Sequence, residues 1–119
     1  MAIHNYYTVL QQENISPEEW LFTVRLNPDC KVYKGHFPNQ PVAPGVCQLQ
    51  IVKDCAETAL GEQLRITRIK QCKFLRIIIP SEDTTLDIYL RIGTDNTLHA
   101  EVRDANTIYV KIKAQLEKL

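Results

Sequence analysis

Three absences in the sequence exclude whole classes of protein. No stretch approaches the 18 or more consecutive apolar residues of a membrane span, and the first residues lack a charged and then apolar leader. We therefore expect a cytoplasmic protein without a membrane contact. Lysine and arginine together number 14, as do aspartate and glutamate, so the chain lacks the positive charge typical of nucleic-acid-binding domains.

The cysteines lack a disulfide or metal-binding pattern. Cys30, Cys47, Cys55 and Cys72 form no Cys-x-x-Cys pair, and no histidine stands at a metal-ligand spacing from them. We expect buried free thiols that contribute to packing, with neither a metal nor a cofactor. A chain of 119 residues with 45% hydrophobic content fits one domain spanning residues 1–119.

Proline and glycine are concentrated in one stretch, residues 35–45, directly before the only convincing helix, Val46–Leu60. Three prolines at every third position fix φ and favour a stiff, extended loop. The loop contains His36, and histidine is the side chain best suited to proton transfer near neutral pH. A loop histidine can equally make structural hydrogen bonds, so the loop alone leaves both interpretations open.

Alternating apolar residues predict strands on both sides of the helix. Before it, Phe22–Leu26 predicts a half-buried strand, Tyr6–Leu10 a short aromatic segment, and Glu13–Glu19, with Pro17, a turn. After it, Leu64–Ile79 predicts a long basic strand. Turn residues at 93–96 and 104–106 then join three further alternating strands, Leu86–Ile92, Leu98–Val102 and Ile108–Leu116. One helix and several antiparallel strands give an α+β fold in which a curved sheet wraps the helix.

The predicted helix is apolar around most of its circumference but carries a narrow polar stripe. Gln50, Lys53, Asp54 and Glu57 recur at i, i+3, i+4 and i+7. A solvated edge with an ordinary i,i+4 ion pair accounts for Lys53 and Glu57. It does not account for Gln50, because Gln50 lies near the start of the helix, next to the histidine loop.

Gly35-His36-Phe37-Pro38, followed by Pro41 and by Pro44-Gly45-Val46 at the start of a helix, resembles the signature of the hotdog-fold 3-hydroxyacyl-acyl-carrier-protein dehydratases. The resemblance covers roughly residues 20–116, since residues 70–76 and 80–83 look like the family's following strand and turn. It implies a hotdog fold, a curved antiparallel sheet around one central helix. It also implies dehydration of acyl thioesters in fatty acid or related lipid synthesis.

Dehydration of a 3-hydroxyacyl thioester needs a base for the C2 proton, an acid for the departing hydroxyl and a donor at the thioester oxygen. The resemblance implies that His36 is the base. It also assigns the donor to a backbone amide of Gly45 or Val46, at the start of a helix where amides are unpaired, and adds Phe37 to the substrate-binding residues.

The acid is where the sequence departs from the family. The family carries Glu or Asp fourteen residues after the histidine, and that position holds Gln50 here. Asp54, one helical turn later, stands where the family has glutamine, so acid and amide are exchanged. An amide cannot give up a proton as an acid does, and general-acid catalysis contributes about 10²–10⁴-fold to rate. Asp54 acting through a water, or a carboxylate supplied by the other subunit of a heterodimer, would restore it.

These residues leave three functions, in order of preference. Dehydratase activity comes first, with Gln50 and Asp54 as candidate catalytic residues beside His36. Binding of an acyl thioester without chemistry, possibly as a subunit of a heterodimer, comes second. A hotdog thioesterase comes third.

The partners follow from charge and from the resemblance. Five cations, including Lys70, Lys73 and Arg76, occur without an acid between Glu62 and Glu82. They either protect a solvated strand edge or, as the resemblance implies, bind an acyl carrier protein or coenzyme A thioester. We expect a homodimer, a higher homo-oligomer or a heterodimer, because a sheet of this size leaves its edges exposed.

Overall fold

The computed structural model describes residues 7–30, 43, 45–81 and 84–119. The strands and helix in this part of the chain are β1 (Tyr7–Ser16), β2 (Glu19–Leu26), α1 (Gly45–Leu60), β3 (Leu64–Phe74), β4 (Thr85–Ile92), β5 (Thr97–Arg103) and β6 (Ile108–Lys118). Among these residues, no helix has the length and apolarity that crossing a membrane would need.

The strands form one antiparallel sheet in the order β1-β2-β4-β5-β6-β3, so β1 and β3 are its edges. The three strands with the clearest apolar alternation, β4, β5 and β6, lie next to one another. Their alternate side chains, such as Leu90, Leu98 and Val110, are fully buried. The predicted α+β architecture, one helix and an antiparallel sheet, is confirmed.

Helix α1 packs its apolar side against the inner face of this sheet. Ile51, Val52, Cys55 and Ala56 are buried in the same core as the inward-facing strand residues. The helix ends at Gly61, whose φ of 67° lies in the left-handed region that glycine adopts without strain. The predicted ion pair on its outer stripe is present, with Lys53 Nζ 3.7 Å from Glu57 Oε1.

Two predictions of strand length were wrong. β1 continues to Ser16, and β2 begins at Glu19. The turn predicted over Glu13–Glu19 is therefore limited to the short link between these two strands. Nearly all side chains of β1 are exposed, so it lacks the apolar alternation that identifies a half-buried strand, and backbone pairing with β2 forms it instead. In contrast, β3 ends at Phe74 rather than Ile79, because the amides of Leu75 and Arg76 both turn to the carbonyl oxygen of Tyr109.

The prediction of free thiols is confirmed. Cys30, Cys47 and Cys55 are buried, and Cys72 is half-buried. Burial raises the pKa of Cys55 to about 12, with a smaller contribution from the charge of Asp54. Within the described ranges, no group of three or more His, Cys, Asp or Glu side chains is arranged to hold a metal ion.

We predict that Cys55 resists alkylation in the folded protein. At pH 8 its thiolate fraction is on the order of 10⁻⁴, and the thiolate is the reactive form. Because its folded pKa is raised, the thiol stabilises the fold below the unfolded pKa, about 8.5, and this contribution is lost as the pH rises toward 12. Iodoacetamide labelling followed by mass spectrometry should modify the half-buried Cys72 first and Cys55 only after urea unfolding. Equal labelling rates for the two thiols would contradict this account.

Candidate functional site

The end of β3 lies against the start of α1. A Cβ added to Gly45 would be only 2.8 Å from Cζ of Phe74, so a glycine at this position lets the aromatic ring pack directly on the helix start. Val46, the next residue, is 71% exposed. Gly45 and Val46, both predicted to bind substrate, therefore occupy the first helical turn at an accessible border between α1 and β3.

A hydrogen-bonded group of three side chains lies further along the helix. Gln50 Nε2 donates to Asp54 Oδ1 at 2.8 Å, and the hydroxyl of Tyr7 in β1 donates to Asp54 Oδ2 at 2.8 Å. All three side chains are half-buried. The exchanged residues Gln50 and Asp54 therefore contact one another, and a tyrosine from the sheet completes the group.

The hydrogen bonds define what each member of this group can do. Both oxygens of Asp54 accept a hydrogen bond, one from Tyr7 and one from Gln50, so the carboxyl group is held in a fixed position. One N–H of Gln50 is occupied by Asp54, so the Gln50 amide is held in a fixed orientation with its carbonyl oxygen directed away from that bond. Asp54 as the missing acid stays a prediction, and the bonds present favour its role as an acceptor.

Tyr7 was not identified from the sequence. It is 47 positions from Asp54 in the chain, and the short segment predicted around it gave no reason to place it beside the helix. Its side chain meets α1 because Tyr7 pairs with Leu26 of β2, whose own side chain is fully buried, so both residues are on the inner face of the sheet. Sheet register, which local sequence does not determine, was the missing information.

Gln48 is the buried polar side chain of the core. It is 5% exposed, and its Nε2 donates to the carbonyl oxygen of Ala43 at 3.0 Å. No residue in the described part of the chain donates a hydrogen bond to its Oε1. The side chain lines a small cavity of about 10 Å³ together with apolar groups that include Cys47, Ile51 and Ile78. This volume is close to that of a single water and far below that of an acyl chain.

The predicted carrier-binding residues are separate from this group, and two other predicted residues cannot be placed. His36 and Phe37 lie outside the described residues. Lys70 and Lys73 are exposed on edge strand β3, and Arg76 follows the strand. Lys73 stands directly opposite Lys111 of β6, so like charges face each other there. Gln50 and Asp54 are thus in contact, whereas the predicted carrier-binding cations lie on β3 or directly after it.

The sequence from residue 11 to residue 113 matches a family described as ApeI-like, ApeI dehydratase. The chain belongs to the ApeI-like dehydratase family. Its hotdog fold and its predicted relationship to the 3-hydroxyacyl dehydratases are thereby confirmed.

Individual relatives agree with the family. A 3-hydroxyacyl-[acyl-carrier-protein] dehydratase FabZ from Clostridium acetobutylicum is 25% identical over 65 residues, which cover 49% of this chain and 46% of the relative. The chain thus matches about half the length of that curated relative. The dehydratase heterocomplex ApeI:P from Xenorhabdus doucetiae has a chain that is 25% identical, with a TM-score of 0.81 and coverage of 92% of this chain and 96% of that chain.

Two further structures extend the likeness. An uncharacterised protein from Erwinia carotovora subsp. atroseptica is 25% identical, with a TM-score of 0.74 over 95% of this chain and 97% of that chain. The dehydratase domain from the CurK module of curacin polyketide synthase is 17% identical, with a TM-score of 0.63 over 97% of this chain and 44% of that one. At this identity the CurK domain supports the fold alone.

We predict that Tyr7 and Asp54 are energetically coupled. Tyr7→Phe removes a hydrogen bond to a carboxylate, which contributes about 1.5–3 kcal/mol. In an Asp54→Asn background the same change should cost less, because the charged acceptor is already lost. Urea unfolding of the parent, the two single variants and the double variant measures the coupling as a double-mutant cycle. Additive losses of stability would show that the hydrogen bond contributes nothing to the fold.

Proposed function

We propose that the chain is a dehydratase subunit that acts on 3-hydroxyacyl thioesters in fatty acid or related lipid synthesis. In this proposal His36 removes the C2 proton, and the backbone amide of Gly45 or Val46 polarises the thioester carbonyl. The acid that protonates the departing hydroxyl comes from a different subunit. The cytoplasmic location stays a prediction from the sequence.

The engagement of Asp54 by two donors carries the proposal. A dehydratase site needs a carboxylic acid whose proton can reach the substrate hydroxyl. Gln50 has no such proton, and Asp54 uses both oxygens to accept from Gln50 and Tyr7. Loss of general-acid catalysis costs about 10²–10⁴-fold in rate, or about 3–5 kcal/mol of transition-state stabilisation. A subunit that pairs with an acid-bearing chain avoids this loss.

The surface near the helix start supports assembly with another chain. Several large apolar side chains are about half exposed or more on β3, on the segment after it and at the start of α1. They are Val46, Ile69, Phe74, Leu75, Ile77 and Ile79. The contact between Phe74 and Gly45 brings these three parts of the chain together. Contiguous apolar surface of this kind is typical of protein interfaces.

The charges of β3 favour a different chain over a second copy as its neighbour. Ile69 is the middle residue of β3. If two copies paired antiparallel about Ile69, Arg68 would face Lys70, and Arg65 would face Lys73. Like charges directly opposite each other destabilise strand pairing. The heterocomplex described for ApeI:P is a precedent for such an assembly.

Gln48 does not distinguish between acyl substrates. Its Oε1 is a buried acceptor to which no described residue donates, and such an acceptor costs about 1–3 kcal/mol while it is unsatisfied. The cavity beside it has a volume of about 10 Å³, which is too small for an acyl chain. Whether acyl carrier protein or coenzyme A delivers the substrate is a separate question, and Lys70, Lys73 and Arg76 remain the proposed contacts for either.

We predict that Ile77→Glu breaks the assembly. Ile77 is 69% exposed, so the change leaves the core of a single subunit intact but places a charge in the proposed interface. When an acid-bearing dehydratase chain is co-expressed as partner, it should co-purify with the tagged parent, and sedimentation velocity should show that the variant has lost this partner. The matched control is Leu119→Glu, because Leu119 is 72% exposed and lies outside this apolar surface. A parent that stays monomeric in the presence of the partner chain would contradict the shared-site proposal.

We predict that restoring the family order of acid and amide produces an active site within this chain. The variant Gln50→Glu/Asp54→Gln keeps an amide and a carboxyl in contact but places the acid at the family position. The assay is formation of the 2-enoyl thioester from a carrier-linked 3-hydroxyacyl substrate. The double variant should exceed the parent by about 10²-fold or more, and adding His36→Ala should abolish the gain.

The outcome separates the proposed function from its main alternative. The engagement of Asp54 equally favours a subunit that binds acyl thioesters without chemistry, because such a subunit needs no acid. If the double variant binds substrate and keeps its oligomeric state but forms no product, that alternative replaces the dehydratase subunit. A parent already as fast as the double variant would show that Asp54 or another group in this chain supplies the acid.

A further inference from the structure

A row of positive side chains crosses the outer face of the sheet, opposite the side that packs on α1. Arg91 of β4 pairs with His99 of β5, and His99 pairs with Lys113 of β6. The residues on either side of each are buried, so these three side chains point outward. Neighbouring strands are about 4.8 Å apart, so the row spans about 10 Å between the outer backbones.

A fourth cation joins the row through an irregularity of β3. The register between β3 and β6 shifts between Ile69 and Gln71, which makes Lys70 the extra residue of a β-bulge. Bulges re-aim side chains. Lys70 accordingly lines one open cleft with Arg91, His99 and Lys113. This cleft has a volume of about 370 Å³, and the carboxylates of Glu18 and Asp95 also border it.

The cations of this cleft lack the ion pairs that would neutralise them. Among the described residues, Lys70, Arg91 and Lys113 have no carboxylate within salt-bridge distance. Glu19, directly opposite Arg91 in β2, accepts hydrogen bonds from Tyr89 and Ser16 that lower its pKa, and the charge of Arg91 contributes to lowering it. Arg91 and Lys113 are on either side of the same imidazole, so an anion bound between them would reduce the repulsion among the cations of the cleft.

The carboxylates of Asp95 and Glu18 differ in how firmly other groups hold them. Asp95 accepts from the amide and the hydroxyl of Thr97, which keeps its carboxylate in the turn between β4 and β5. Glu18, in the turn between β1 and β2, has an exposed side chain without a hydrogen bond or ion pair to the rest of the described chain. Glu18 is therefore the group that opposes an incoming anion.

His99 gives the cleft a charge that depends on pH. Burial lowers its pKa, and Arg91, Lys113 and Lys70 lower it further, while Asp95 opposes them. The lowered pKa favours the neutral imidazole at pH 7. An anion beside it would favour the protonated form, which adds a donor and a positive charge.

We propose that this cleft on the outer face binds a phosphoryl anion between Lys70, Arg91, His99 and Lys113. A guanidinium and two ammonium groups that converge from three strands match the charge and the several acceptor oxygens of a phosphate group. The site is on the opposite side of the sheet from Gln50 and Asp54. It shares Lys70 with the carrier contacts of the proposed function but uses none of the proposed catalytic residues, so binding alone tests it.

The first test follows the imidazole of His99 by proton NMR with pyrophosphate as the probe. The pKa of His99 should rise when the cleft is filled. Because the bound form then holds its proton more tightly, affinity for pyrophosphate should increase as the pH falls from 8 to 6. A His99 resonance and pKa unchanged by millimolar pyrophosphate would overturn the proposal.

Charge variants test the position of the site. Lys113→Gln and Arg91→Gln should each weaken pyrophosphate binding about tenfold, the loss expected for one charge-assisted hydrogen bond. Glu18→Gln should strengthen it, because the opposing carboxylate is removed. Lys53→Gln, on the helix, is the matched control, since it makes the same change of net charge away from the cleft. Equal weakening by Lys53→Gln and Lys113→Gln would show screening by overall charge and overturn the site.

A comparison of ligands distinguishes two sources of the phosphoryl group. Pyrophosphate represents a free anion, and adenosine 3′,5′-bisphosphate represents the nucleotide part of a coenzyme A thioester. Tighter binding of the nucleotide, weakened by Lys113→Gln, would identify a coenzyme as the ligand. Binding of pyrophosphate alone, with the same dependence on Lys113, would identify a free phosphoryl anion. Binding of neither would overturn the proposal.

Discussion

The packing of α1 against the inner face of the sheet is the constraint on which the rest of the structure depends. The helix buries Ile51, Val52, Cys55 and Ala56 against alternate residues of the central strands. A single helix cannot cover both faces of a six-stranded sheet, so the outer face must be polar. The inner face carries the apolar core and faces α1, and the outer face carries charged side chains such as Arg91 and Lys113.

Because most of α1 is buried, the partners of its polar residues indicate what those residues do. A helix that is buried on most sides keeps polar residues only where water, an ion pair or a hydrogen-bonded group satisfies them. Glu57 meets Lys53 and also accepts from the amide of Leu64, so it fixes the link from α1 to β3. Asp54 meets Gln50 and Tyr7. The polar stripe of α1 thus has two parts. Lys53 and Glu57 support the structure, and Gln50 and Asp54 form part of the candidate site.

Local sequence was enough to predict those strands, and the helix, in which the spacing of apolar residues follows burial in the core. β4, β5 and β6 alternate because one face of each is in the core, and α1 ends where Gly61 adopts a left-handed conformation. β1 escaped prediction because an edge strand with nearly every side chain exposed carries no such alternation. The resemblance predicted Gly45, Gln50 and Asp54 as site residues, which stays a prediction, and helical spacing correctly placed the last two in contact.

The contacts that the sequence did not predict depend on the register between paired strands. The contact of Tyr7 with Asp54 requires β1 to pair with β2 in one register, which turn residues and composition do not specify. The row of Arg91, His99 and Lys113 likewise exists only because β4, β5 and β6 align these positions. His99 carried no local pattern, and its cationic neighbours come from other strands.

The register of β1 also affects Gln50, although only through Asp54. Tyr7 donates to Asp54, and Asp54 accepts from the Gln50 amide, so this amide is held in a defined orientation. A fixed amide presents a carbonyl acceptor and an N–H donor, so it can orient a substrate hydroxyl without transferring a proton. The proposed division of labour, orientation by this chain and proton donation by another, requires a surface that a second chain can cover, and the exposed apolar residues beside the helix start offer one. The proposal of a site completed by a second, different subunit thus accounts both for an amide at position 50 and for this apolar surface.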